Sequence, residues 1–461
     1  MPPDTIPRRR IVLASLIGTT IEFYDFYIYA TAAVSVFPLL FFPKSETGAA
    51  LLASMATFAV AFVARPLGSM LFGHFGDRRG RKATLIGSLL TMGIATFLIG
   101  LLPTFVQIGL WAPLLLTILR FCQGLGLGGE WSGAALLATE TAEPGRRAWA
   151  AMWPQLGAPF GFILANGFFL LLTAWFDYNS AAAEVNHDFL VWGWRIPFLV
   201  SIVMVAVGLY VRTQLAETPV FSRAVARGEK VALPLAQVFR RHFGALVRGT
   251  FIMVATYGVF YLMTTWTLSY AIGGTALGFL GIGYRDFLVL QLISVLCFAG
   301  MIPLAGRLAD IYGRRRFLLV VTAAIIAFGF TFQIFLDPHT MGTGRSANLG
   351  LMLSFLAVGM TLMGLSFGPM SAVLPELFPT NVRYSGSGIS YNAASILGAA
   401  LTPFAAVWLA RHFGVGSVGF YLSALGVLSF VALWWSRETR GVSLDSAEED
   451  AARVGVETSS P

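Results

Sequence analysis

The stretch GHFGDRRGRK, residues 73–82, returns later in the chain as GRLADIYGRR, residues 306–315. Both copies read G-x-x-x-D-x-x-G-R-[KR], and they lie 233 positions apart. A second pair, ETAEPGRR at 140–147 and ELFPTNVR at 376–383, recurs at an offset of 236 positions. Two matched motifs at nearly the same offset indicate that the chain contains one structural unit twice.

Long apolar runs surround both copies of the repeat. Hydrophobic residues make up 56% of the chain and charged residues only 12%, whereas an average soluble domain has about 25% charged residues. A helix of about 20 apolar residues crosses a bilayer, because it satisfies its own backbone hydrogen bonds there. Such runs lie at 11–41, 49–73, 83–102, 110–139, 148–175, 191–211, 246–271, 287–306, 317–336, 349–375, 384–410 and 416–435. The sequence therefore predicts an all-α membrane protein with twelve transmembrane helices, called spans 1–12 below, in two pseudo-symmetric six-helix bundles.

The longest polar connection separates spans 6 and 7. We expect an N-terminal six-helix bundle over 1–211, a cytoplasmic linker over 212–242, a C-terminal bundle over 243–435 and a cytoplasmic tail over 436–461. Transporters built from two such repeats bind their solute where the repeats meet, near the middle of the membrane.

The positive charges lie mainly on one side of the predicted topology. Of the 31 Lys and Arg residues, two fall inside spans and five fall in loops on the side opposite the termini. These five are Lys44, Arg195, Arg285, Arg345 and Arg411. Basic residues concentrate in cytoplasmic loops, so we expect both termini in the cytoplasm. Topology accounts for the net charge of +8 without binding to nucleic acid.

Two acids interrupt span 1 within TIEFYDFYIY, residues 20–29. Glu22 and Asp25 are three positions apart, which places them close together on the helix surface near the bilayer centre. Ionisable residues inside a membrane are costly and are functional candidates by default. We expect these two acids, with Glu130 of span 4, to bind and release the coupling proton of a symporter. The alternative is that they form permanent ion pairs that only hold helices together.

Two arginines lie inside spans of the first half, and spans 7–12 carry no clear mid-span charge. Arg120 of span 4 is the more central one, and its planar guanidinium suits a substrate carboxylate. The alternative is that Arg120 pairs only with Asp25 or Glu22. Arg65 of span 2 lies nearer the cytoplasm, so we expect a gating or structural pair there. Neutral residues that could line the cavity, or join helices instead, are Tyr24, Gln123, Trp131, Gln155, Asn166, Tyr257, Tyr261, Tyr391 and Asn392.

The loop after span 2 combines residues that can hold helix ends together. Gly73 permits a close approach of helices. Asp77 can accept hydrogen bonds from amides at a helix N-terminus, and Arg78 and Arg81 can pair with nearby acids. The motif therefore predicts a contact between helix ends on the cytoplasmic side.

Several stretches resemble one group of transporters. The loops after spans 2 and 8 resemble the signature of the major facilitator superfamily. Within it, the chain resembles the bacterial metabolite:proton symporters in IEFYDFYIYA (21–30), FVARPLGSMLFGHFGDRRGRK (62–82), RFCQGLGLGGEW (120–131), ETPVF (217–221) and LPELFPTNVRYSG (374–386). The resemblance covers nearly the whole chain. It implies a place in the bacterial inner membrane and uptake of organic acids, such as α-ketoglutarate, citrate or shikimate, or of zwitterionic osmolytes, such as proline or betaine.

The resemblance also implies a latch that closes the cytoplasmic side in the outward-facing state. Together with Arg65, the expected gating residues are Gly73, Asp77, Arg78, Arg81, Glu140, Arg147, Asp310, Arg314, Glu376 and Arg383. The tail after Trp435 has no sustained heptad pattern, unlike the coiled-coil tail of the osmosensory branch, so an osmosensor is less expected.

The sequence favours a proton-coupled symporter that imports a small metabolite, foremost an organic acid carboxylate, by alternating access. Two alternatives stay open: a symporter of a zwitterionic osmolyte, and a proton-driven exporter, because GAPFG at 157–161 resembles a glycine-proline motif of superfamily antiporters. No HExxH or nucleotide-binding G-x-x-x-x-G-K-[ST] pattern occurs, which argues against a zinc enzyme and a nucleotide-driven pump. The expected partners are a small-molecule substrate, protons and the lipid bilayer, with the protein a monomer. We expect no metal, no cofactor and no nucleic acid.

Overall fold

The computed structural model describes residues 8–43, 47–79, 81–140, 142, 145–178, 187–213, 234–275, 278–379 and 382–441. Within these ranges, side-chain surroundings are described except at 8–12, 47–48, 73–83, 137, 140 and 234–235. Helices and connecting turns, without a β-strand, make up the described residues. The all-α interpretation is confirmed.

Helices lie at all six predicted spans of the first half. In chain order, spans 1–6 are Arg8–Ser35, Thr47–Arg79, Arg81–Gly100, Trp111–Gly128 with Trp131–Glu140, Arg147–Gln155 with Gly157–Trp175, and Phe189–Gly193 with Arg195–Thr213. Short helices at Phe37–Phe41 and Phe105–Ile108 lie between spans. The last helix reaches into the linker predicted from residue 212, and most of that linker lies outside the described residues.

The second half repeats this arrangement. Spans 7–12 are Phe243–Tyr261 with Leu262–Trp266 and Thr267–Ile272, Tyr284–Tyr312, Arg314–Gly329 with Phe332–Leu336, Leu349–Phe367 with Met370–Glu376, Arg383–Ser395 with Ile396–Ala400 and Leu401–Phe413, and Val415–Trp434. Short helices at Pro234–Arg241, Pro338–Met341 and Gly344–Ser346 lie outside the spans. The tail predicted over 436–461 is described only as far as residue 441.

Within the described part of the chain, nine helices are long and apolar enough to cross a membrane. Spans 1, 3 and 9 are the other three predicted spans. Span 1 carries three arginines and two acids, the apolar part of span 3 is limited to Thr84–Gly100, and span 9 is interrupted after Gly329. All three spans are helical, and they differ from the nine in their charges, their short apolar length or their breaks.

The two halves meet along two interfaces. Span 2 packs against span 11, and span 5 packs against span 8. The sequence repeat relates span 2 to span 8 and span 5 to span 11, so the two interfaces are equivalent by pseudo-symmetry. A substrate space bounded by both interfaces therefore touches both repeats.

Small residues bring the helices of the first half into close contact. A Cβ added at Gly128 of span 4 would lie 2.7 Å from the amide nitrogen of Ser69 and would overlap the carbonyl of Arg65. A Cβ at Gly124 would lie 2.7 Å from the Cα of Ala61. Only glycine permits this approach, which is typical of membrane helices. The contact fixes the backbone of Arg65 against span 4.

The glycine-proline stretch at 157–161 serves the same purpose between spans 1 and 5. A Cβ at Gly161 would lie 2.7 Å from the Cβ of Phe23, and one at Gly157 would overlap Thr19. Close packing against span 1 accounts for both glycines. The stretch therefore needs no exporter function to explain it.

Candidate functional site

A closed cavity lies between the two halves. Every residue that lines it is buried. The first half contributes Glu22, Phe23, Phe26, Arg65 and Leu127, and the second contributes Met253, Thr256, Tyr257, Phe260, Tyr261, Met363, Phe367 and Tyr391. Residues of both repeats thus surround one enclosed space.

Glu22, Arg65, Tyr257 and Tyr391 form the polar end of the cavity. The guanidinium carbon of Arg65 lies 5.2 Å from the centre of the Tyr391 ring, and the rings of Tyr257 and Tyr391 are 5.2 Å apart. Glu22 is close enough to Arg65 to attract it electrostatically. The hydroxyl of Tyr257 is buried near Tyr391 and makes no hydrogen bond of good geometry among the described residues. This end offers one cation, one acid and an available hydroxyl donor.

Phe23, Phe26, Phe260 and Phe367 form the apolar end. Phe23 lies 6.2 Å from Phe260 and 6.3 Å from Phe367, measured between ring centres, and Phe260 lies 6.3 Å from Phe367. The ring of Phe26 lies 5.7 Å from that of Tyr261. The two halves therefore contact each other here through aromatic rings.

Arg65 contacts both halves of the protein. Its Nε donates a hydrogen bond of 3.1 Å to Oδ1 of Asn392 in span 11. The Asn392 amide in turn donates to the carbonyl of Gly128 at 3.3 Å. Arg65 was expected as a gating residue, and the structure places it in the cavity wall as well as in a contact between the halves.

Arg120 lies outside the cavity lining. Its guanidinium carbon sits 3.9 Å from the ring centre of Tyr29 and 4.9 Å from those of Phe26 and Phe58. Nη1 donates to Gln123, while Nε and Nη2 have no hydrogen-bond partner among the described residues. This placement differs from the expected contact with substrate, because Arg120 packs on the Phe26 ring, which lines the cavity, and does not line it itself.

Asp25 faces spans 3 and 4 rather than the cavity. Its Oδ2 accepts a hydrogen bond from Thr96 at 3.2 Å, and its Oδ1 has no partner among the described residues. Gln123 donates to Thr96 at 2.8 Å and to the backbone carbonyl of Asp25 at 3.3 Å. Because Arg120 donates to the same Gln123, a chain of hydrogen bonds links it to Asp25. Asp25 and Glu22 therefore have different surroundings.

Glu130 forms a buried ion pair with Arg212 at the end of span 6. Arg212 also donates to the carbonyl of Leu85. The pair lies against the bare backbone of Gly18, whose added Cβ would come within 3.5 Å of Glu130 Oε1. The alternative of a structural ion pair fits Glu130 better than it fits Glu22, which lines the cavity.

Next to the polar end, a layer of neutral residues connects the two halves. Trp131 of span 4 stacks on Tyr391 of span 11, with ring centres 3.8 Å apart and planes 3° apart. Its indole nitrogen donates to Gln155, and Gln155 donates to the carbonyl of Phe367 at 2.9 Å. Of the neutral candidates, Tyr257, Tyr261 and Tyr391 line the cavity, whereas Trp131, Gln155 and Asn392 belong to this layer.

The remaining neutral candidates join helices of the first half. The Tyr24 hydroxyl donates to the carbonyl of Pro197 at 2.9 Å, so it binds span 6. Asn166 accepts from Thr31 at 2.8 Å. Neither residue lines the cavity.

The second copy of the loop motif reaches across to the first half. Asp310 of span 8 accepts hydrogen bonds from the amides of Ala148 and Trp149, at 3.2 and 2.9 Å, in the first turn of span 5. Arg314 pairs with Asp310 at 3.0 Å and with Glu376 at 3.3 Å. An acid at a helix N-terminus interacts favourably with the partial positive charge there. The interaction expected for the motif aspartate is thus made by Asp310.

The first copy of the motif cannot be compared in the same way. The side chains of Gly73, Asp77, Arg78, Arg81 and Glu140 lie outside the described residues. Their proposed roles stay predictions.

Two other members of the expected gating set mark helix beginnings. Arg147 is the first residue of the span 5 helix, and Arg383 is the first residue of the span 11 helix. The Nε of Arg383 donates to the carbonyl of Phe378 at 3.1 Å.

Other contacts join the halves at the opposite end. Arg285 of span 8 pairs with Asp177 after span 5 at 2.8 Å, and Tyr284 donates to Ser35 of span 1 at 3.4 Å. The hydrogen bond from Arg285 lowers the pKa of Asp177. Contacts between the halves therefore exist on both sides of the cavity, which corresponds to an occluded arrangement.

The four phenylalanines of the apolar end were not predicted as cavity residues, because an apolar ring in a span is expected to face lipid or the core. Spacing offered a signal: Phe23 and Phe26 follow Glu22 on span 1, and Phe260 follows Tyr257 by three positions. Arg212 was predicted to belong to the linker. Glu130 of span 4 has no cation three or four positions away in its own helix, and this was the signal for a partner on another helix.

Comparisons with known proteins agree with this architecture. The sequence model of the Major Facilitator Superfamily matches residues 15–391 and 280–458. The inner membrane metabolite transport protein YhjE of Escherichia coli is 52% identical over 437 residues, which cover 95% of this chain and 96% of that protein.

The chain belongs to the Major Facilitator Superfamily. A more distant member, the shikimate transporter of Escherichia coli, is 36% identical over 90% of this chain and 91% of its own length. The solved structure of the proton:xylose symporter XylE superposes with a TM-score of 0.70, covering 96% of this chain and 98% of that one at 18% identity. The twelve-helix superfamily fold is confirmed, and the protein is a multi-pass membrane protein of a metabolite transporter family.

Proposed function

We propose that this protein imports a small organic acid together with a proton, by alternating access in the bacterial inner membrane. The single observation that supports it most is the closed cavity between the repeats, which holds one guanidinium, Arg65, beside one acid, Glu22. Because each chain encloses its own cavity, we propose that it acts as a monomer. Both termini and the 212–242 linker are proposed to face the cytoplasm.

Arg65, rather than Arg120, is the proposed ligand of the substrate carboxylate. It lines the cavity, and a guanidinium can hold a carboxylate through two parallel hydrogen bonds. An anion beside an ionised Glu22 would be repelled, so the substrate enters most favourably when Glu22 carries a proton. Proton and anion then move together, which is symport.

Asp25 is the second proposed proton site. It has one carboxylate oxygen without a partner and is linked through Gln123 to the partly unpaired Arg120. Loss of a proton from Asp25 would create an anion that attracts Arg120, and gain of a proton would release that attraction. The proton thereby changes the packing of spans 1 and 4 without touching the substrate.

A zwitterionic osmolyte is the second candidate substrate. Glu22 and the cavity rings could hold a quaternary nitrogen while Arg65 holds the carboxylate. The proline/betaine transporter of Salmonella typhimurium is 30% identical over 97% of this chain and 87% of that protein. Here Glu22 would stay ionised during binding, so affinity for a zwitterion would fall on acidification, whereas affinity for an organic anion would rise.

Uptake into proteoliposomes tests the proposal. An inside-alkaline pH gradient should drive accumulation of an organic acid above its external concentration, and a protonophore should abolish that accumulation. Uptake that does not respond to the pH gradient would contradict proton coupling. Accumulation of betaine but of no organic acid would favour the zwitterion instead.

A further inference from the structure

The cavity contains a single charged group that can hold an anion. Among the residues that the structure describes, Glu22 and Arg65 are the acidic and basic ones in its lining. Of the other buried arginines of the first half, Arg212 pairs with Glu130, and Arg120 lies outside the lining and packs on Phe26. A substrate with two carboxylates would leave one of them without a cation.

The polarity of the cavity fixes where that second carboxylate would lie. With one carboxylate on Arg65 at the polar end, the rest of the substrate extends toward Phe23, Phe260 and Phe367. These rings come from both halves and provide no hydrogen-bond donor. A buried carboxylate without a partner is strongly unfavourable, whereas a flat apolar ring gains contact with aromatic walls.

We propose that the cavity selects monocarboxylates whose body is an apolar or unsaturated ring, and discriminates against di- and tricarboxylates. The Tyr257 hydroxyl and the Arg65 guanidinium, which both line the polar end, hold the carboxylate. The four phenylalanines of the apolar end hold the ring. This inference rests on the proposed carboxylate symport and narrows its substrate class.

Two probes of matched shape test the selection. Benzoate has one carboxylate on a ring, and terephthalate has the same ring with a second carboxylate at the opposite end. Binding to the purified full-length protein is measured by the rise in its unfolding temperature with probe concentration, with cyclohexanecarboxylate and succinate as further probes. We expect benzoate and cyclohexanecarboxylate to bind at least tenfold more tightly than terephthalate and succinate.

A variant at the apolar end provides a second readout. Phe260→Leu removes one ring of the cavity wall and should weaken benzoate binding several-fold while leaving the weak succinate response unchanged. Phe330→Leu removes a ring of the same kind from an exposed position of span 9 and should change neither.

The outcomes separate this inference from the proposed function. Terephthalate or succinate binding as tightly as benzoate would overturn the inference, because the second carboxylate would then have found a cation, yet organic acid transport would stand. Betaine binding without binding of any of the four carboxylates would overturn both.

Discussion

At the scale of single residues, the two arginines of the first half differ in what they can reach. Arg65 lies in the cavity wall and contacts Tyr391 and Asn392 of the other half. Arg120 is enclosed by three aromatic rings and contacts Gln123 of its own helix. Their substitutions should therefore affect different steps of transport.

Arg65→Lys keeps the charge but loses the planar fork of donors. We expect the affinity for the carboxylate substrate to fall about tenfold, equivalent to about 1.4 kcal/mol of binding free energy. The measurement is substrate binding to purified protein at fixed pH. Arg120→Lys is the control and should leave binding nearly unchanged. Weaker binding in Arg120→Lys, with normal binding in Arg65→Lys, would instead identify Arg120 as the ligand of the carboxylate.

Asp25→Asn removes a carboxylate that accepts from Thr96 but keeps an oxygen that can accept the same hydrogen bond. We expect the variant to lose accumulation against a gradient while retaining exchange of external for internal substrate. Glu22→Gln has no proton to exchange beside Arg65, so it should also lose accumulation while still binding the substrate. Normal accumulation by Asp25→Asn under a proton gradient would show that this carboxylate has no part in coupling.

At the scale of helices, glycine contacts position the site. Gly128→Ala would push span 4 away from span 2, and overpacking of this kind costs about 1–3 kcal/mol. We expect a lower unfolding temperature and weaker substrate binding, because the displaced backbone carries Arg65. Gly167→Ala in span 5 is the matched control, since nothing lies within 4 Å of its added Cβ. Equal effects of the two substitutions would exclude the proposed packing role.

The helices were predictable from sequence because each carries its own signal. Runs of apolar residues predicted all twelve positions, and the repeat predicted their pairing into halves. The cavity was harder to predict, because contact between span 2 and span 11 joins residues more than 300 positions apart, as Arg65 and Asn392 show. Their charge inside a span predicted that Arg65 and Arg120 are candidate site residues. Their position along the helix could not show which of the two faces the cavity. That difference depends on the rotation of each helix, which is set by packing at Gly124 and Gly128.

At the scale of the whole molecule, Asp310 joins the halves on the side of the loop motifs. Asp310→Asn removes the charge that holds two amides of span 5 and Arg314. We expect this side to open more often, with little change in substrate affinity. A Ser371→Cys reporter, buried at the same interface, should react with maleimide several-fold faster in this background.

Asp286→Asn is the control for that experiment, because Asp286 lies in the first turn of the same helix, at the end opposite Asp310. It should leave the labelling rate of the reporter unchanged. An unchanged rate in Asp310→Asn, or a large loss of affinity without faster labelling, would contradict the latch.

The loop charges predict the orientation of the whole chain. In a background with Cys122 and Cys297 replaced by serine, Asp188→Cys should react with a membrane-impermeant maleimide added to intact cells. Glu229→Cys should react only after the membrane is opened. Reaction of both from outside would contradict the twelve-span topology.

The hydrogen bond from Arg65 to Asn392 competes with a substrate carboxylate for the same guanidinium. A substrate carboxylate must displace a neutral amide oxygen before it gains the full guanidinium, so the observed dissociation constant reports only the difference between the two partners. A weak measured affinity for the substrate is therefore compatible with a close ion pair between its carboxylate and Arg65 in the bound state. Because Asn392 can accept from Arg65 again as the carboxylate leaves, we expect the same competition to speed release and to weaken binding.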